Sequence, residues 1–116
     1  MTMKAISRQV NGVTIVDLSG RITLGQGSVV LRDTVKDLSA QGHNKILLNL
    51  GDITYIDSSG IGELVNALTS IRTAGGELKL INLNKKVHDL LHITKLYKVF
   101  DIQDDEAAAI GAFQHQ

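Results

Sequence analysis

Lys45-Ile-Leu-Leu-Asn-Leu50, followed after a short gap by Ile56-Asp-Ser-Ser-Gly-Ile-Gly62, is a strand running into a helix. Ile46, Leu47, Leu48 and Leu50 form a near-continuous apolar run over residues 45–50, which marks a central strand covered on both faces. From Ser58 onward the pattern changes. Ile61, Leu64, Val65 and Leu68 recur at i, i+3, i+4 and i+7, the spacing of a helix with one buried face. Gly75-Gly76 stops that helix. With Asp57 as N-cap, Ile56 and Ile61 take the N′ and N4 places of a hydrophobic staple, and Ser58 falls at N1 with its hydroxyl near solvent. Gly60 and Gly62 each cost roughly 1 kcal/mol of helix propensity. Two glycines in one first turn imply that something approaches the backbone closely.

Upstream, residues 3–10 and 13–19 are strand-like, and Asn11-Gly12 between them is a strong two-residue hairpin signal. The first two strands are therefore expected to be antiparallel. A glycine-containing loop is expected from Gly20 to Gly27. Leu31, Val35 and Leu38 then recur at helical spacing up to Gln41-Gly42. Downstream, residues 78–83 suggest a strand and Lys85 to Leu91 a short helix with Val87, Leu90 and Leu91 inward. Residues 98–102 suggest a last strand. A helix from about Asp104 to Phe113 closes the pattern, with acids in its first turn where the dipole favours them. The order β-β-α-β-α-β-α-β-α implies right-handed crossovers. The expected fold class is α/β, with a mixed, mostly parallel sheet of about five strands, an N-terminal antiparallel hairpin and about four helices.

The chain has 116 residues, 43% of them hydrophobic, which suits one domain spanning 1–116 with a single core. Net charge is zero, so no nucleic-acid footprint is expected. Cysteine is absent, which excludes disulfides, a thiol nucleophile and cysteine-ligated metal. Residues 1–10 carry Lys4 and Arg8 and no signal-peptide run, and no stretch reaches the ~20 apolar residues of a membrane span. A cytoplasmic protein without a membrane partner is the expectation.

Several constellations are candidate sites. Hydroxyls at a strand-to-helix junction either cap the helix or accept a phosphoryl group, since a helix N-terminus stabilises negative charge. Residues 57–62 are compatible with both. Gly25-Gln26-Gly27 invites a phosphate-loop reading, yet Val30 breaks G-x-G-x-x-G and no G-K-[ST] follows. Two glycines before Ser28 are also what an ordinary loop needs. His88-Asp-Leu-Leu-His92 approaches the H-E-x-x-H zinc motif, but aspartate replaces glutamate. Neither His43 nor His115 offers a clear third ligand, so no metal is expected. Ser58 lacks the G-x-S-x-G elbow of esterases.

Ile56-Asp57-Ser58-Ser59-Gly60-Ile61-Gly62 resembles the signature of STAS domains, and more narrowly that of bacterial anti-anti-sigma factors (anti-sigma factor antagonists). The likeness extends to residues 13–20, 46–50, Gly75-Gly76-Glu77-Leu78 and 96–102. The resemblance implies a single STAS domain and no enzymatic activity or cofactor. It implies that Ser58, rather than Ser59, is phosphorylated by an anti-sigma factor that is itself a serine kinase. The unphosphorylated protein would bind that kinase and free a sigma factor, and a phosphatase acting on the phosphoserine would reset it. The expected partner-binding surface comprises Asp57, Ser58, Ser59, Gly60, Ile61 and Gly62, together with Gly25, Gln26 and Gly27 from a loop at the same end of the sheet. A monomer or weak dimer is expected. One departure stands out: the family often has an acid after the glycine at position 20, and here Arg21 follows. A non-switching STAS scaffold and a module sensing a nucleotide or other small ligand are the alternatives.

Overall fold

Asn11 and Gly12 both have positive φ, 51° and 82°, as a two-residue hairpin turn with the right twist demands. They join β1 (Lys4–Val10) to β2 (Val13–Ile22), with Val10 opposite Val13. The computed structural model describes residues 3–113. After the hairpin come α1 (Gln26–Ala40), β3 (Lys45–Ile56), α2 (Ser58–Thr73), β4 (Glu77–Ile81), α3 (Lys85–Ile93), β5 (Asp101–Gln103) and α4 (Glu106–Phe113). The sheet order is β1-β2-β3-β4-β5, antiparallel between β1 and β2 and parallel elsewhere.

The pleat sends alternate residues to opposite faces. Val16 and Leu18 of β2 and Ile46, Leu48 and Leu50 of β3 are buried with Leu31, Leu64, Leu68, Val87 and Leu91 of α1, α2 and α3. Val13, Ile15, Leu47 and Ile81 meet Ala109 and Phe113 of α4. Three helices thus cover one face and one helix the other. β3 is apolar on both faces where both are covered, as its run of apolar residues implies.

The element order matches the sequence expectation, with differences at the boundaries. β3 continues six residues past Leu50, staying paired with β2 as far as Ile22 and carrying two extra residues relative to it. Asp17 and Ser19 pair with Asn49 and Asp52, and Gly20 and Arg21 pair with Ile53 and Tyr55. Each such bulge breaks the strand's alternation and re-aims the side chains beyond it. β2 likewise runs to Ile22, so the expected Gly20–Gly27 loop shrinks to Thr23–Gly25. Strand β4 ends at Ile81, and Leu96–Lys98 form a 3-10 turn, leaving β5 to begin at Asp101.

A charged network fastens α4 to the hairpin. Arg8 Nε donates to Asp17 at 2.7 Å, and its other guanidinium nitrogens reach Glu106 in the first turn of α4. Asn49 Nδ2 also donates to Asp17, at 2.8 Å. Hydrogen bonds from Arg8 hold the carboxyls of Asp17 and Glu106 below the usual carboxylate range, against a partial opposing effect of burial. Both side chains are more than a third exposed, 34% and 38%, so screening keeps the contribution small. Carboxyls depressed in the folded state stabilise it above their ordinary titration and lose that contribution as pH falls through the folded values. Thermal melts should therefore be level from neutrality to about pH 5 and decline below about pH 4. In Arg8→Ala the acid-side decline should be shallower, while the cost at pH 7 stays under ~1 kcal/mol. Parallel acid-side profiles for the two proteins would refute the assignment.

Candidate functional site

The carboxyl ends of β2 and β3 meet at one place, with Ile22 in register with Ile56. The chain leaving β3 turns directly into α2, and that turn is built on the end of β2. The Asp57 amide donates to the Ile22 carbonyl at 3.3 Å. A side chain at Gly60 would overlap the same carbonyl oxygen, so only glycine lets the first turn of α2 settle against β2. Gly27 has the same relation to the Arg21 carbonyl at the start of α1.

Asp57 is the N-cap of α2, accepting from the Gly60 amide at 2.8 Å as expected of a capping aspartate. Its second oxygen accepts from the Leu24 amide at 3.3 Å. One carboxylate thus joins the β2–α1 connection to the start of α2. Ser58 at N1 is exposed, and its hydroxyl has no hydrogen-bond partner among the described residues. Ser59 is half-buried.

The expected binding residues divide by exposure. Ser58 and Gly62 are exposed, with open space around Gly62, whereas Gly60 and Ile61 are buried. Gly60 therefore serves the packing of α2 on β2, and Ile61 serves the core as the N4 residue; neither offers surface. Gly25 to Gly27 do lie beside the start of α2, but as the N-terminus of α1 rather than as part of the expected loop. Gly25 is the N-cap residue of α1, and Gln26 and Gly27 form its first turn. The Gln26 amide side chain takes the Met3 backbone N–H at 2.9 Å. Gly27 is buried, and the Ser28 amide and hydroxyl both donate to the Thr23 carbonyl at 3.0 Å. These contacts engage the Gln26 side chain and the Ser28 amide and hydroxyl within the fold.

His88 and His92 stack on each other at 5.6 Å, and His92 stacks on Tyr97 at 4.5 Å. Asp89 is paired with Lys85 at 2.8 Å, and His43 lies against Gln9. Among the described residues no three such side chains gather as metal ligands. His115 lies outside the described residues.

One feature of this end of the sheet escaped the sequence reading. Arg21 and Tyr55 are in register across β2 and β3, and the Arg21 guanidinium lies over the Tyr55 ring at 4.8 Å. The Lys86 ammonium lies 5.5 Å from the same ring. Lys86 is brought there by Asn84, which caps α3 by accepting from Val87 and donates to the Ile53 carbonyl at 2.7 Å. Leu24, next to Asp57, is 80% exposed. Tyr55 would have been legible only with β3 extended through its bulges.

Residues 4–109 match the family model of the STAS domain. This chain belongs to the STAS domain family. The anti-sigma F factor antagonist of Paenibacillus polymyxa is 31% identical over 99 residues, 85% of each chain. The Thermotoga maritima protein tm1081 has a crystal structure that superposes with a TM-score of 0.88 at 29% identity, covering 96% of this chain and 95% of that one. SpoIIAA shares the fold at lower identity: its unphosphorylated form gives a TM-score of 0.73 at 17%, covering 97% of this chain and all of that one. The STAS expectation of a five-stranded mixed sheet, an N-terminal hairpin and four helices is met. No helix among the described residues is long and apolar enough to cross a membrane.

Proposed function

We propose that this STAS domain is an anti-sigma factor antagonist switched by phosphorylation of Ser58. Unmodified, it binds an anti-sigma factor serine kinase in the cytoplasm and frees a sigma factor; phosphorylated, it lets the kinase go. The observation that carries the reading is the state of Ser58: exposed, at N1 of α2, with no hydrogen bond engaging its hydroxyl among the described residues. The neighbouring Asp57 does the capping, which leaves Ser58 without a structural task. The names of the relatives support the antagonist role.

The domain contributes only a nucleophile. The kinase supplies ATP, magnesium and the base that takes the Ser58 proton; the Oγ–P bond forms as the γ-phosphorus leaves the ADP oxygen. The product carries about −1.5 to −2 additional charge at pH 7. In a closed interface that charge loses water beside the Asp57 carboxylate, so release requires no refolding. A phosphatase restores the hydroxyl.

Incubation with the kinase and ATP, then phosphopeptide sequencing, should place one phosphate on Ser58. Ser58→Ala should take none and melt within ~0.5 kcal/mol of wild type, as a surface change away from the cap. Phosphate on Ser59 or on a threonine would overturn the assignment. Binding with no phosphate on any residue would favour a non-switching STAS subunit.

A further inference from the structure

We infer that Arg21, Tyr55 and Lys86 form a cationic docking patch for an acidic surface on the protein partner, and that Leu24 supplies its apolar anchor. The inference rests on the preceding reading for the identity of that partner.

The first observation is convergence without compensation. Arg21 and Lys86 come from different elements, β2 and α3, and meet on one ring at 4.8 Å and 5.5 Å. Neither forms an ion pair among the described residues. Four other cations are matched, Arg8 with Asp17 and Glu106, Arg32 with Glu63, Lys79 with Asp101 and Lys85 with Asp89, while six more stand without an ion pair among the described residues; what sets Arg21 and Lys86 apart is that they converge on one ring. Two like charges brought together repel, and the electron-rich face of an exposed tyrosine offsets only part of this. An external acid would complete the cluster.

The second observation is continuity with the Ser58 surface. Tyr55 precedes Ser58 by three residues, and the strand carrying Arg21 ends at the carbonyl against which α2 starts. Leu24, 80% exposed, is tied to Asp57 through its amide. A body docked on Ser58 thus has Leu24 beside it, and Arg21 and Tyr55 near the ends of the two strands that form the junction. The third is shape. A groove of about 450 Å³ among the described residues lies elsewhere, between α1 and α2, lined in part by Arg32, Val35, Glu63 and Ala67. Tyr55 presents an exposed ring, 36% accessible, suited to a protein surface rather than to a small enclosed anion.

Complementary charge acts on partner choice and encounter rate and weakens with salt. The test is calorimetric titration of the nucleotide-free kinase with wild type, the charge-reversed variant Arg21→Glu/Lys86→Glu, and the neutral variant Arg21→Gln/Lys86→Gln. At about 50 mM salt the reversed variant should bind at least ~10-fold more weakly, with the neutral one between, and the gap should narrow near 0.5 M. The neutral variant keeps the test decisive should charge reversal disturb folding. Equal affinity of wild type and neutral variant at low salt would overturn the patch. Ser58 phosphorylation of the wild type is measured alongside. If Ser58 takes phosphate and charge has no effect, only the patch falls. If binding depends on charge but Ser58 takes no phosphate, the patch stands and the switch falls. No binding by the wild type refutes both.

Discussion

Ser58→Asp should bind the kinase about 100-fold more weakly than wild type while folding normally, a loss of ~2.8 kcal/mol. The folded domain tolerates the new carboxylate, because a helix N-terminus favours an anion by roughly 0.3–1 kcal/mol. Ser58 is exposed and its hydroxyl holds nothing together, so its replacement removes no internal bond. The cost appears only in the complex. There the added charge is stripped of water beside Asp57, and misplaced charge in an interface can cost several kcal/mol. It also opposes the field of Arg21 and Lys86 on the same surface, which an acidic partner would seek. Calorimetric titration of both proteins, with a melting curve for each, measures the two effects separately. Equal affinities with intact folding would refute the charge mechanism.

Gly60→Ala and Gly62→Ala should act in opposite directions, although the two glycines look alike in the sequence. Alanine is the better helix former by roughly 1 kcal/mol, which favours both substitutions. At position 62 nothing lies within 4 Å of the added methyl, so that gain is realised. Gly62→Ala should raise the melting temperature by about 4 °C, allowing ~4 °C per kcal/mol for a domain of this size. At position 60 the methyl would overlap the Ile22 carbonyl oxygen and crowd the Ile56 side chain. Backbone cannot rotate aside as a side chain can. Overpacking of this kind costs ~1–3 kcal/mol and sometimes more. Because α2 must shift bodily, Gly60→Ala should lose about 2 kcal/mol net and melt about 8 °C lower. Scanning calorimetry decides it, and a Gly60→Ala protein as stable as Gly62→Ala would remove the argument for close approach.

That contrast shows what the sequence could and could not carry. Residues 57–62 announced a capped helix and an exposed serine, because capping depends on local spacing, and Asp57 does accept from Gly60. They did not tell which glycine faced inward, since that depends on a strand 38 residues earlier. The element order was legible because hydrophobic period and turn chemistry agree at every junction. The ends of β2 and β3 were not, because two bulges erase the alternation where Thr54 and Tyr55 stand side by side and exposed. Arg21 was noticed as a departure from the family pattern, but its meeting with Tyr55 and Lys86 is a product of register and of the Asn84 cap. No local signal encodes such a meeting.

Strand order in the sheet is strand order in the chain. Each strand after the first is added beside the one made just before it, through a two-residue turn or a single helical crossover. None has to be threaded between two strands already paired. A chain emerging from the ribosome can therefore extend its sheet in the direction of synthesis, with each loop closure spanning only a modest length and costing correspondingly little entropy. While β1 stays at one edge throughout, the other edge is always the newest strand. When that edge is β3, its outer backbone is bare and its Ile46 to Leu50 run is without β4. Between the appearance of β3 and the docking of β4, that bare apolar edge is open to pairing with a neighbouring chain.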